Sequence, residues 1–229
     1  ILDERSSLVH FVWSDDEDIA AAKETGITVV HSPGSNTMLG AGLAPVMRLR
    51  AAGIPVAYGT DGSNCGPPSL LESMRLGCYL MRMTEPDFET WPDARTILGE
   101  AYAAGARAVG RPGEIGVLAP GARADVTVLD PVPYWHRPSG DPYRQILYYE
   151  NGGSVTDVWV DGARVLEAGR VTTVDEDALI AEAEEIAARR KAALPPAAAA
   201  AIEAQYPAFR QMILDNFAAD LGAERRFSL

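Results

Sequence analysis

The chain has 229 residues, a formal net charge of −12, 47% hydrophobic and 23% charged residues, enough for one sizeable domain or one and a half around a buried core. That acidity argues against binding nucleic acid through its phosphates, which needs Lys and Arg to displace counterions. No apolar run approaches the roughly 18–20 residues of a membrane helix, so neither nucleic acid nor membrane is an expected partner.

The first residues, ILDERSSLVH, lack the basic stretch and apolar core of a signal peptide. They also lack an initiator Met, so the chain is expected to begin at a boundary within something longer. SLVHFVW (Ser7–Trp13) reads as a strand. SDDEDIAAAKETG follows as a helix, with Ser14 as its N-cap, acidic residues in its first turn and Gly26 as its stop. ITVVHS (Ile27–Ser32) is a second strand, β-branched and apolar without alternation. A glycine-rich loop, the helix APVMRLRAAG and a third strand IPVAYGT (Ile54–Thr60) come next. A helix over roughly Ser69–Arg82 follows the next Gly/Pro loop, and its Glu72 and Arg75 are expected to make packing or ion-pair contacts. Continuous apolar strands separated by helices predict a parallel sheet covered on both faces.

After about residue 112 the pattern changes. GEIGVLAPGARADVTVLD and VTDVWVDGARVLEAGRV both read as strand–turn–strand, with APGA and VDGA as turns. The Pro-rich stretch PVPYWHRPSG carries His136, expected to be structural or part of a lid. From Asp175 the chain reads as helical, with Asp175 or Asp177 as cap and a long amphipathic pattern that Pro195-Pro196 breaks before a last helix to about Leu221. The domain boundaries expected are therefore 1–111, 112–172 and 173–229.

Three polar residues stand at or near the C-terminal ends of the strands, His10, His31 and Asp61. That end is where parallel α/β folds build their sites. Taken singly, each can be a hydrogen-bonded structural residue. Taken together, a carboxylate and two imidazoles on one face suit metal ligation or general acid/base work. Cys65, in DGSNCGPP, lies close enough in sequence to be weighed as a nucleophile, but no histidine sits at an evident partnering distance. Cys65 and Cys78 are the only cysteines, and their spacing suits neither a zinc ribbon nor CxxC, so a reducing, cytoplasmic setting is expected. LGAGLAP matches neither a P-loop nor GxGxxG, which argues against phosphate binding.

VHFVW followed by VVHSPGSNTMLGAGLAPVMRLRAAGIPVAYGTDGSN resembles the second half of the cytosine/guanine-deaminase-like branch of the amidohydrolase superfamily. Within it the resemblance is to triazine hydrolases, S-adenosylhomocysteine/methylthioadenosine deaminases and 8-oxoguanine deaminases. It implies an α/β fold: strands 6–8 of a (β/α)8 TIM barrel, part of a small β-sandwich and a C-terminal helical extension.

The resemblance also implies roles. Asp61 would bind the catalytic metal, Zn2+ or else Fe2+, and shuttle a proton from the attacking water to the leaving group. His10 would hydrogen-bond that water or the tetrahedral intermediate. His31 and Asn64 would lie against the substrate, His31 more through positioning its loop than through chemistry, while Ser35 and Asn36 would fix the loop. The expected reaction is hydrolytic deamination of a nitrogen heterocycle such as a purine, pterin or triazine. Dechlorination or cyclic-amide hydrolysis on the same fold, or a non-catalytic assembly role, are the alternatives. The family's HxH pair and strand-5 histidine have no counterpart among the three histidines here. The chain is therefore expected to be one piece of a larger protein, working with an N-terminal half of the barrel and as a homo-oligomer.

Overall fold

A computed structural model describes residues 2–130, 140–193 and 195–218. The stretch carrying His136 lies outside them. The chain divides into two compact units, with the break between Gly169 and Arg170.

The first unit begins with three parallel strands in the order β1 (Ser7–Val9), β2 (Thr28–His31) and β3 (Val56–Tyr58). Leu8 lies opposite Val29, and Val30 opposite Ala57. The strands are shorter than their apolar runs. β1 ends at Val9 rather than Trp13 because the next two residues, His10 and Phe11, turn into the left-handed region at φ 73° and 49°.

Helices connect and cover the strands. α1 (Asp16–Thr25) starts in a capping box, whose N-cap is Asp15 rather than Ser14. Asp15 accepts from the N–H groups of Glu17 and Asp18, and the Asp18 carboxylate accepts from the N–H of Asp15. Gly26, at φ 69°, closes it. PGSNTM, expected as loop, is a short helix α2 (Pro33–Met38), with proline in its first turn. α3 (Val46–Ala51) precedes β3. Then α4 (Leu70–Thr84) is capped by Ser69, and α5 (Ala94–Ala108) by Asp93. Val29, Leu49, Ile27 and Cys78 sit at 1% exposure or less at the centre of the core. Gly77 lets α4 approach β3 closely, since a Cβ there would stand 2.6 Å from the Tyr58 ring.

α6 (Pro142–Tyr149) buries Leu147 in the same core. Its C-terminal carbonyls are satisfied from α4: Arg75 donates to the carbonyls of Leu147, at 3.0 Å, and Glu150. Arg82 donates to the Tyr148 hydroxyl at 2.6 Å and stacks over Trp91. The Glu150 carboxylate is fully buried and accepts from the N–H groups of Gly152 and Ser154 and from the Ser154 hydroxyl.

The β-module contains β4 (Val126–Leu129), β5 (Val155–Val160) and β6 (Ala163–Glu167), paired antiparallel in that order. The VDGA turn is a two-residue hairpin, with Asp161 and Gly162 both at positive φ. The other expected hairpin is half correct. Residues 126–129 form a strand, whereas 114–118 form none and contribute a single bridge between Pro112 and Ile115. Three glycines at positive φ, Gly113, Gly116 and Gly121, keep that stretch from extending.

In the second unit α7 (Glu176–Ala193) and α8 (Pro196–Ala218) flank the Pro195-Pro196 break. Asp175 is the residue that caps α7, accepting from the Ala178 N–H at 3.1 Å. No α7 residue is buried, and Leu179, Ile180 and Ile186 are exposed. Among the described residues no helix is long and apolar enough to cross a membrane.

Candidate active site

His10 and Asp61 follow β1 and β3, the two strands that flank β2. The His10 N–H still bonds the Val30 carbonyl at 2.9 Å, but its φ of 73° takes the side chain out of the strand's alternation. Asp61 is also left-handed, at φ 58°. Such residues cost of order 1–3 kcal/mol each unless their surroundings impose the conformation. Here both side chains reach across the end of β2, and His10 Nε2 stands 3.8 Å from Asp61 Oδ2. Both are partly open to solvent, at 41% and 38% exposure.

The space between them is filled from β2 itself, whose chain runs directly into α2. Asn36 Oδ1 lies 2.8 Å from His10 Nδ1. The Gly62 N–H donates to the Asp61 carboxylate at 2.8 Å. The Ser35 hydroxyl first, then the Gly62 amide, and further off His10 hold the Asp61 carboxyl below the usual carboxylate range. It is therefore an anion at neutral pH.

His31 ends β2 and turns the other way. It lies opposite Tyr58 in the register, with the rings 5.8 Å apart, and is 2% exposed. Its Nδ1 has no partner among the described residues. Burial, with a smaller contribution from His10, pushes its pKa down to about 4. Asn64 is exposed in the loop after Asp61. Its Oδ1 lies 2.5 Å from where a Cβ on Gly62 would stand, so any larger residue there would have to turn the Asn64 side chain aside. Cys65 is 8% exposed and, with Gly34, Thr37, Thr60 and Ser73, borders a cavity of about 410 Å³.

The buried His31 gives stability a pH dependence whose sign is fixed. The folded state resists protonating an imidazole that the unfolded chain protonates near 6.5. Stability is complete above about 6.5 and falls as the pH drops towards about 4, by up to about 3 kcal/mol. Urea midpoints across that window should fall in the native protein and fall less in His31→Phe. Equal slopes would show that His31 does not carry the effect.

Among the described residues no group of three or more His, Cys, Asp or Glu side chains could hold a metal. Catalytic zinc takes about three protein ligands. An ionised, exposed carboxylate beside an imidazole nitrogen suits one side of such a site, and among the described residues no third His, Cys, Asp or Glu joins them.

The model of the amidohydrolase family matches residues 1–165. The chain belongs to the amidohydrolase family. It is 38% identical over 182 residues to a 5-methylthioadenosine/S-adenosylhomocysteine deaminase of Desulforudis audaxviator, covering 79% of this chain and 42% of that protein. A 5′-deoxyadenosine deaminase of Methanosarcina mazei is 34% identical over 78% of this chain and 41% of its own length. Among solved structures, a zinc-bound adenosine deaminase from Xanthomonas campestris superposes with a TM-score of 0.79 at 30% identity, covering 83% of this chain and 44% of that one. The zinc complex of atrazine chlorohydrolase from Arthrobacter aurescens gives 0.73 at 28%, covering 79% and 40%.

This amidohydrolase chain thus spans about two-fifths of the length of the relatives it matches, 42% and 41% of the two deaminases above. Its α/β fold is similar to theirs over part of a barrel. What reading the sequence did not attach to individual atoms is the work of Ser35 and Asn36. The signal was present in the SN dipeptide four and five residues beyond the end of β2, but nothing local says which side chains it meets.

Proposed function

We propose that this amidohydrolase chain is the C-terminal part of a metal-dependent hydrolytic deaminase acting on an adenosine-type nucleoside. The supporting observation is the convergence of an ionised Asp61 and His10 at the C-terminal end of a parallel sheet. The names of its relatives supply the substrate class. In this reading β1, β2 and β3 are barrel strands 6, 7 and 8 within residues 1–111, residues 112–172 are half of a β-sandwich, and 173–229 are a helical extension. The rest of the barrel is the partner that completes the site. The protein is cytoplasmic and homo-oligomeric, the latter in keeping with the apolar side chains exposed on α8, Ile202, Tyr206, Phe209 and Ile213.

Asp61 would be one ligand of a divalent cation, Zn2+ with Fe2+ as the alternative, which when bound lowers the pKa of a coordinated water towards 7. Asp61 takes the proton from the attacking water and passes it to the departing nitrogen, so ammonia leaves neutral. His10 Nε2 orients the same water by accepting a hydrogen bond from it. Asn64, exposed beside Asp61, contacts the substrate, and His31 braces the strand ends from beneath.

The likeness to atrazine chlorohydrolase is the one observation that bears on a second reading, displacement of chloride from a triazine. The zinc-loaded intact protein should release ammonia from 5′-methylthioadenosine or S-adenosylhomocysteine. Chloride release from a chlorotriazine without ammonia from either nucleoside would replace the first reading with the second. Neither product would overturn both.

A further inference from the structure

Asn36 is 2% exposed, and the Nδ2 of its amide meets no acceptor among the described residues. A buried donor left without a partner costs about 1–3 kcal/mol. As a packing residue asparagine is therefore a poor choice, and leucine, with the same number and branching of heavy atoms, would avoid that cost. The other end of the amide has a specific contact: Oδ1 lies 2.8 Å from His10 Nδ1, across 26 positions of sequence. The amide is held in place by a backbone bonded on both sides, from the Asn36 N–H to the Ser32 carbonyl at 3.0 Å and from the Ala41 N–H to the Asn36 carbonyl at 2.8 Å.

We infer that Asn36 is a positioning residue that sets the tautomer of His10. An amide oxygen only accepts, so the proton of the neutral imidazole must sit on Nδ1. Nε2, the nitrogen that faces Asp61 at 3.8 Å, is then left with a free lone pair. That is the form able to accept a hydrogen bond from the attacking water. The topology explains why this task falls to β2: it is the strand between the two whose ends carry His10 and Asp61.

The inference rests on the deaminase reading for its catalytic meaning but not for its structural content, and two measurements separate them. Long-range proton–nitrogen NMR of the intact native protein, with the His10 signal assigned by its loss in His10→Gln, should show the proton on Nδ1. In Asn36→Leu the proton should move to Nε2, the form an unconstrained imidazole prefers. Asn36→Asp keeps an acceptor and should keep the native tautomer. For the deaminase, Asn36→Leu should lower kcat about 10–100-fold, the range for losing a histidine's orienting partner, with KM little changed, and Asn36→Asp should restore much of it. A wild-type Nε2–H tautomer, or one unchanged in Asn36→Leu, overturns the inference even if the protein is an active deaminase. An Asn36-dependent tautomer in a protein that deaminates nothing upholds it and sinks the functional reading alone.

Discussion

In the intact deaminase proposed above, Asp61→Asn should lower turnover by about 10²–10⁴-fold, the range for removing a positioned general base, with little change in Tm. The two halves of that expectation have separate physical grounds. Asparagine cannot take a proton from water or pass one on, and it brings no charge to a cation. Yet the backbone should accept it readily. Asp61 sits at φ 58°, where asparagine is among the few residues with a side chain that are at ease. Its amide oxygen can still accept from the Gly62 N–H, now at 2.8 Å from Oδ1. With 38% of its side chain exposed, the position contributes little burial to lose. Steady-state kinetics and a melting curve on the same preparation decide it. Turnover near the wild-type level would refute the proton-shuttle role, and a collapse of Tm would reassign Asp61 to the fold.

The largest stability effect outside the apolar core is expected at Glu150. Its carboxylate is fully buried and collects the Ser154 hydroxyl and N–H, with Ser154 itself 2% exposed, as well as the Gly152 N–H. Glu150→Ala removes the acceptor and leaves the two buried Ser154 donors stranded, at about 1–3 kcal/mol each. The expected loss is about 3 kcal/mol in urea denaturation. Ser154→Ala, which deletes one donor and leaves the carboxylate its amide partners, should cost only about 1 kcal/mol. Equal effects from the two variants would show that the carboxylate is not the hub. The position matters because the carbonyl of the same residue accepts from Arg75. Glu150 thus joins α4 to the turn that leads into β5.

Much of the fold was legible from local chemistry. Unalternating apolar runs at residues 27–32 and 54–60 demanded strands covered on both faces, and β2 and β3 lie within them. Asp-Gly between two apolar stretches demanded the β5–β6 hairpin, and Pro195-Pro196 the break between α7 and α8. Boundaries were less legible where a side chain competed with periodicity. Asp15 outranked Ser14 as a cap because Asp18 stands at the right distance to complete the box. β1 stopped early because His10 and Phe11 take left-handed conformations that nothing in VHFVW announces. α6, with its buried Leu147, is not announced in the sequence because its eight residues, directly behind a Pro-rich stretch, make only about two turns.

By itself, then, the sequence determined the order of strands and helices, the parallel sheet and the placing of His10, His31 and Asp61 at its C-terminal end. Local propensity, capping and period are properties of neighbours along the chain, which is why they can be read there. Only the tertiary structure decided which of those side chains meet. A strand buried on both faces carries apolar residues on each, so its pattern cannot say which way His31 points. The register opposite Tyr58 and the space left by Gly77 turned it into the core. The contact of Asn36 with His10 and the approach of His10 to Asp61 span 26 and 51 positions of chain. Such contacts are fixed by the packing of separate elements, and no local signal encodes them.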